Sequence, residues 1–70
     1  MMNNSTILIS EKIKIYRQKN ELSQTDFGKL MGVTPQAVSK WEHCDCYPDI
    51  TLLPHLATII GCQVNDFFKY

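Results

Sequence analysis

The four residues Gly32-Val33-Thr34-Pro35 sit in the middle of SQTDFGKLMGVTPQAVSKWE, Ser23 to Glu42. They constrain this chain more than any other feature, because they stop one helix and start another within a single turn. Gly32 follows Met31 where a helix end needs positive φ, and Val33 supplies the apolar plug of the turn. Thr34 then caps a new helix and Pro35 takes its first position, where the missing N–H costs nothing and φ is already helical. Upstream, Ser23 caps a helix starting at about Gln24. Asp26, three residues on, completes a capping box and meets the positive end of the helix dipole. Phe27, Leu30 and Met31, at i, i+3, i+4, give that helix one buried face. Gly28 lies on the same side. A glycine costs about 1 kcal/mol inside a helix, so its use there is close approach of the next helix. Helix three runs from about Pro35 to Glu42, with Val38 and Trp41 directed inward. That leaves Gln36, Ala37, Ser39 and Lys40 on or beside the outward face.

The flanking segments read as further short helices. Ser10 is read as the N-cap of a first helix, with Glu11 in its first turn and Ile9, Ile13 and Tyr16 forming a core face at i, i+4, i+7. After the motif, Asp49 or Thr51 caps a fourth helix that tolerates Pro54 only in its first turn. Leu52, Leu53, Leu56, Ile59 and Ile60 supply its apolar surface, Gly61 ends it, and Cys62 points into the core beyond it. A fifth helix, about Val64 to Phe68, has a poor cap in Gln63 and must be held by packing. Phe67 and Phe68 lie about 100° apart on a helix, so one covers the core and the other is available to a partner. The expected architecture is all-α: a compact bundle of about five short helices in a single domain, residues 1–70, with residues 1–8 as an arm mobile in part. A chain of 70 residues, 44% hydrophobic, forms one core. It buries only about 60% of its unfolded surface, so dimerisation would add stability. No stretch is long and apolar enough for a bilayer, and Met1 to Ser10 lacks the pattern of a signal peptide, so a cytoplasmic location is expected.

A short helix with its polar side free is suited to a DNA major groove. The Gln36 amide can donate to and accept from adenine N6 and N7, Lys40 can donate to guanine or phosphate, and Ser39 is short enough to report either. Ala37 offers a methyl contact to thymine. The whole set of residues resembles the phage repressor and Cro type of helix-turn-helix protein, the XRE-like family of bacterial regulators. The shared features are Ile9, Ile13, Tyr16 and Arg17 in helix one, Ser-Gln opening helix two, the Gly-Val-Thr turn, Gln-Ala-Val and Trp-Glu in helix three, YPDITLLPHLATIIG and VNDFF. The resemblance covers roughly residues 9 to 68. It implies a lambda-repressor-like fold and a sequence-specific transcriptional regulator, in the main a repressor, acting on a double-stranded DNA operator. It further implies that Arg17 pairs with Glu42 while approaching a phosphate, and that Gln24 anchors another phosphate. Ser23, Thr34 and His43 join them as phosphate contacts. A two-fold homodimer through Val64, Phe67, Phe68 and Tyr70 would space two recognition helices about 34 to 36 Å apart, one DNA turn.

Charge pulls in two directions. Seven Lys and Arg against seven Asp and Glu leave a net charge of zero, without the basic excess expected of a DNA binder. Yet Lys12, Lys14, Arg17, Lys19, Lys29 and Lys40 precede Asp45, Asp49 and Asp66. This polarity orients the molecule on phosphate, while the low total predicts modest non-specific affinity and a shallow salt slope. Zero net charge and Asp45 also motivate an alternative, a protein-interaction module of the same fold without DNA binding. His43, Cys44 and Cys46 form a soft ligand cluster, but a C-x-C with one histidine lacks four well-spread donors. Unreactive thiols, no metal and no cofactor are therefore expected. His55 has no acidic or nucleophilic partner at a revealing spacing. With no nucleophile–base set and no phosphate-cradling glycine loop, neither an enzyme nor a small-molecule substrate is expected.

Overall fold

The structure, a computed structural model, describes residues 6 to 69. Four α-helices carry it: α1 (Ile9–Lys19), α2 (Gln24–Met31), α3 (Pro35–Glu42) and α4 (Leu53–Ile60). Short 3-10 turns at Ile50–Leu52 and Val64–Phe67 precede and follow α4. The architecture is all-α apart from a minimal ribbon, in which β1 (Thr6–Ile7) pairs antiparallel with β2 (Phe68–Lys69), Ile7 opposite Phe68.

The helix boundaries of the central motif follow from their caps. Ser23 Oγ accepts from the Asp26 N–H at 3.0 Å while the Asp26 carboxylate accepts from the Ser23 N–H at 3.2 Å, closing the capping box. Gly32 adopts φ +74°, and the Val33 N–H reaches back to the Gly28 carbonyl at 2.8 Å. Thr34 Oγ1 accepts from the Ala37 N–H at 3.2 Å, and Pro35 opens α3. Gly28 is buried, and a Cβ there would lie 2.7 Å from the Val33 carbonyl oxygen. The group that presses on Gly28 is thus the turn itself, leading into α3.

One core joins all four helices. Ile9 and Ile13 from α1, Phe27 and Met31 from α2, Val38 and Trp41 from α3, and Leu53, Leu56 and Ala57 from α4 are buried around Phe67. Tyr16 is half-buried and meets Phe27 edge to face, ring centroids 5.9 Å apart. Half-buried Val33, Leu52, Ile59, Ile60 and Cys62 pack against this core, and desolvation there pushes the Cys62 thiol up.

Several expectations are corrected. α1 begins at Ile9 with Leu8 in the capping position, so Ser10 lies inside the helix, buried, and does not cap it. Leu30 is largely exposed, leaving Phe27 and Met31 as the buried pair of α2. A 3-10 turn occupies Ile50–Leu52, so α4 starts at Leu53 and Pro54 falls in its first turn as required. The fifth helix is a 3-10 turn that ends in a strand, because Phe68 takes an extended conformation. Phe67 is fully buried at the centre of the core and is therefore withdrawn from the dimer surface; Val64 and Phe68 are half-buried, and Tyr70 lies outside the described residues. Of the N-terminal arm, residues 6 to 8 are tied down by the ribbon and by the Leu8 N–H donating to the Phe67 carbonyl at 2.7 Å. Residues 1–5 lie outside the description.

Candidate nucleic-acid interface

α3 is held from its inner side at its last residue. The Glu42 side chain is only 5% exposed, and Arg17, from α1, grips it with two parallel bonds, Nε to Oε2 at 2.6 Å and Nη2 to Oε1 at 2.9 Å. Arg17 Nη1 also donates to the Leu22 carbonyl at 2.9 Å. From α2, Gln24 Nε2 donates to Glu42 Oε1 at 3.3 Å. From α1, the Ser10 hydroxyl donates to the Glu42 main-chain carbonyl at 2.6 Å, satisfying a group that the helix end leaves orphaned. Three helices thus converge on one residue. Burial alone would push the Glu42 carboxyl up; the Arg17 and Gln24 hydrogen bonds and the charges of Arg17 and Lys14 outweigh it and hold the group below its usual range.

This clamp fixes how α3 is rolled. With Val38, Trp41 and Glu42 buried, Gln36 and Lys40 are exposed, four residues apart on one outward face. Ser39 is half-buried beside that face, its carbonyl and hydroxyl 2.7 and 3.4 Å from His43 Nδ1. Ala37 is half-buried and packs against the core, so only part of its methyl is left for a base. A helix with one rigidly seated side and a flexible amide and ammonium on the other offers hydrogen-bonding groups to a groove without reorganising its backbone.

The phosphate-binding residues predicted from sequence take three positions. Arg17 and Gln24 lie together, both on Glu42; Arg17 engages three of its N–H groups there and at Leu22, leaving the others for an external acceptor. Ser23 and Thr34 are exposed and cap α2 and α3 as hydrogen-bond acceptors. His43 is exposed just beyond α3. The neighbouring Cys44 adopts φ +60°, and Cys44 and Cys46 are exposed free thiols.

Three contributors escape a reading of the motif alone. Ser10 and Lys14 share the face of α1 that carries Arg17, at i, i+4, i+7, and both act on Glu42. That spacing is visible in the sequence, but the assignment of Ser10 as a cap hides it. His55 Nε2 lies 3.0 Å from the Leu30 carbonyl, so α4 satisfies a carbonyl in the last turn of α2. Among the described residues no group of three or more His, Cys, Asp or Glu is placed to hold a metal ion, and no helix is long and apolar enough to cross a membrane.

Comparison with known proteins places this geometry in context. The helix-turn-helix family profile matches residues 13–67. The chain is 31% identical over 65 residues to the repressor protein C2 of Salmonella phage P22, covering 93% of this chain but only 30% of that repressor's length. It is likewise 31% identical over 62 residues to an uncharacterised helix-turn-helix-type transcriptional regulator of Methanocaldococcus jannaschii, covering 89% of this chain and 94% of that protein. Among solved structures, the P22 c2 repressor in complex with a synthetic operator superposes with a TM-score of 0.77 at 31% identity, over 89% of this chain and 94% of that one. The match in sequence runs through the same helices that build the Glu42 clamp and expose Gln36, and this chain belongs to the XRE-type helix-turn-helix family.

Proposed function

We propose that this protein is a sequence-specific double-stranded DNA-binding transcriptional regulator, acting as a repressor and reading the major groove with α3. One observation carries the reading: Gln36 and Lys40 stand exposed on the outward face of a helix whose inward face is locked by Val38, Trp41 and the Glu42 clamp. Its likeness to an operator-bound repressor supports the same partner. In this reading Gln36 and Lys40 meet base edges, with Ser39 and the exposed part of Ala37 beside them. Arg17, Ser23, Gln24, Thr34 and His43 hold phosphates. Gln24 approaches through the open N–H groups at the start of α2 as well as its amide. This domain works in the cytoplasm, without cofactor and without catalysis. It binds as a homodimer through the surface around Val64 and Phe68.

Selection of bound duplexes from a random oligonucleotide pool tests this directly. The expected result is an enriched motif with two-fold symmetry; failure to enrich any sequence would favour the protein-interaction module that zero net charge suggests. Sedimentation with the selected duplex checks the dimer, and a strict one-protomer complex on a two-fold site would remove it.

A further inference from the structure

The lysines of α1 divide between two faces. Lys14 and Arg17 attend Glu42, whereas Lys12 and Lys19 lie on the other side of the helix with Ile15 and Tyr16, at i, i+3, i+4, i+7. There they line a groove of about 240 Å³ whose remaining walls are Asn20 and Ile60 from the end of α4. Ile15 is 49% exposed in it, and among the described residues Lys12 and Lys19 make no ion pair. Both lie on the side of α1 opposite Arg17, which binds Glu42 at the end of α3, and the proposed DNA reading makes no use of them. An apolar floor between two cations suits an apolar side chain flanked by carboxylates.

The molecule itself presents such a segment. Between α3 and α4, Tyr47 and Ile50 are 47% and 77% exposed, and Asp45 and Asp49 bracket Tyr47 and adjoin Ile50. The loop is braced: the Asp45 N–H donates to the Lys40 carbonyl at 2.9 Å, Pro48 is buried, and Thr51 donates to the Asp49 carboxylate. A projecting isoleucine on a braced loop presents its apolar surface with little left to order on binding.

We propose that the α1–α4 groove receives the Asp45–Ile50 loop of a second copy of this chain, Ile50 and Tyr47 entering over Ile15, Tyr16 and Ile60 while Lys12 and Lys19 face Asp45 and Asp49. The contact joins unlike surfaces and is distinct from the two-fold surface around Phe68. It needs no DNA, so it stands or falls independently of operator recognition.

Charge reversal tests it by sedimentation of the DNA-free protein. Wild type should self-associate with concentration, more weakly as salt rises. The K12E/K19E and D45K/D49K variants alone should each associate about tenfold or more weakly than wild type, because like charges then meet. An equimolar mixture of the two should recover association, since each groove again faces a loop of opposite sign. Ile50→Ala should weaken association without lowering the thermal midpoint, which also controls for misfolding in the charged variants. A wild type that stays monomeric at millimolar concentration would overturn the proposal. So would variants that associate as wild type does, or a folded mixture that fails to recover. Binding of an unrelated acidic, apolar peptide in the groove without self-association would assign the site to another partner and equally overturn it.

Discussion

In the proposed reading Arg17 supports the interface and Gln36 reads it, and substitutions should separate the two. The Gln36 side chain is exposed and makes no hydrogen bond among the described residues, so Gln36→Ala should leave folding unchanged. It should cost about 1 to 3 kcal/mol of discrimination at one base pair, with non-specific binding nearly intact. Competition binding with single-base operator variants reads this out, and a uniform loss on every sequence would refute the reading role. Arg17→Ala strands a buried carboxylate. It should lower unfolding stability by about 2 to 4 kcal/mol, less than for a fully buried pair because a fifth of the Arg17 side chain meets water. DNA affinity should fall with it. If denaturant titration shows unchanged stability, the bracing role is wrong. Glu42 also sets a pH dependence. Its carboxyl titrates lower in the folded than in the unfolded chain, so the unfolded state binds more protons between the two values. The contribution is complete above the unfolded value, about 4.3, and is lost as pH falls through the folded one. Asp26, lowered by the Ser23 N–H and hydroxyl, acts in the same direction. The urea midpoint should therefore drop between pH 5 and pH 3, and drop less in Glu42→Gln; equal drops would place the effect elsewhere.

Among the elements, the turn between α2 and α3 is where local chemistry and packing meet most tightly. Gly32 needs a left-handed backbone, but a Cβ there would touch nothing within 4 Å, so Gly32→Ala should cost only the conformational penalty of about 1 to 2 kcal/mol. Gly28 is helical, and alanine would ordinarily gain about 1 kcal/mol there. Its Cβ would instead meet the Val33 carbonyl at 2.7 Å, a backbone atom that cannot rotate away. Gly28→Ala should thus reverse the usual sign, destabilise by about 1 to 3 kcal/mol, and displace α3 enough to weaken DNA binding. Thermal unfolding of both variants checks the pair, and a stabilised Gly28→Ala would contradict the described turn. Both glycines are legible in sequence; the spacing points to helix three as the neighbour of Gly28, and the nearest atoms are the turn carbonyl of Val33 and the start of that helix at Pro35. The short elements after α3 were less legible. Val64–Phe67 is a 3-10 turn, and Phe68 leaves it to pair with Ile7. An apolar VNDFF pattern cannot report a partner strand some sixty positions away.

At the scale of the molecule, zero net charge is reconciled with an anionic partner by segregation. Lys14 and Arg17 sit at the Glu42 clamp and Lys40 on the outward face of α3, while Asp45 and Asp49 project from the loop beyond. Few cations can neutralise phosphates, so the plot of log affinity against log salt should be shallower than about −5 per protomer. Titrations at several salt concentrations measure it, and a steep slope would mean that Lys12 and Lys19 also reach the duplex.

The boundaries of α2 and α3, the reversal between them and the outward position of Gln36 were already written in the chain. Capping, glycine φ and helical periodicity all act within a few residues and leave their marks on neighbouring letters. The fold added what no local signal carries: Ser10 and Gln24 join Arg17 on Glu42, across 32 and 18 positions. It also decided that Phe67 would fill the core and Leu30 would not. Such choices depend on which surfaces can exclude water together, and that is a property of the assembled helices rather than of any one of them.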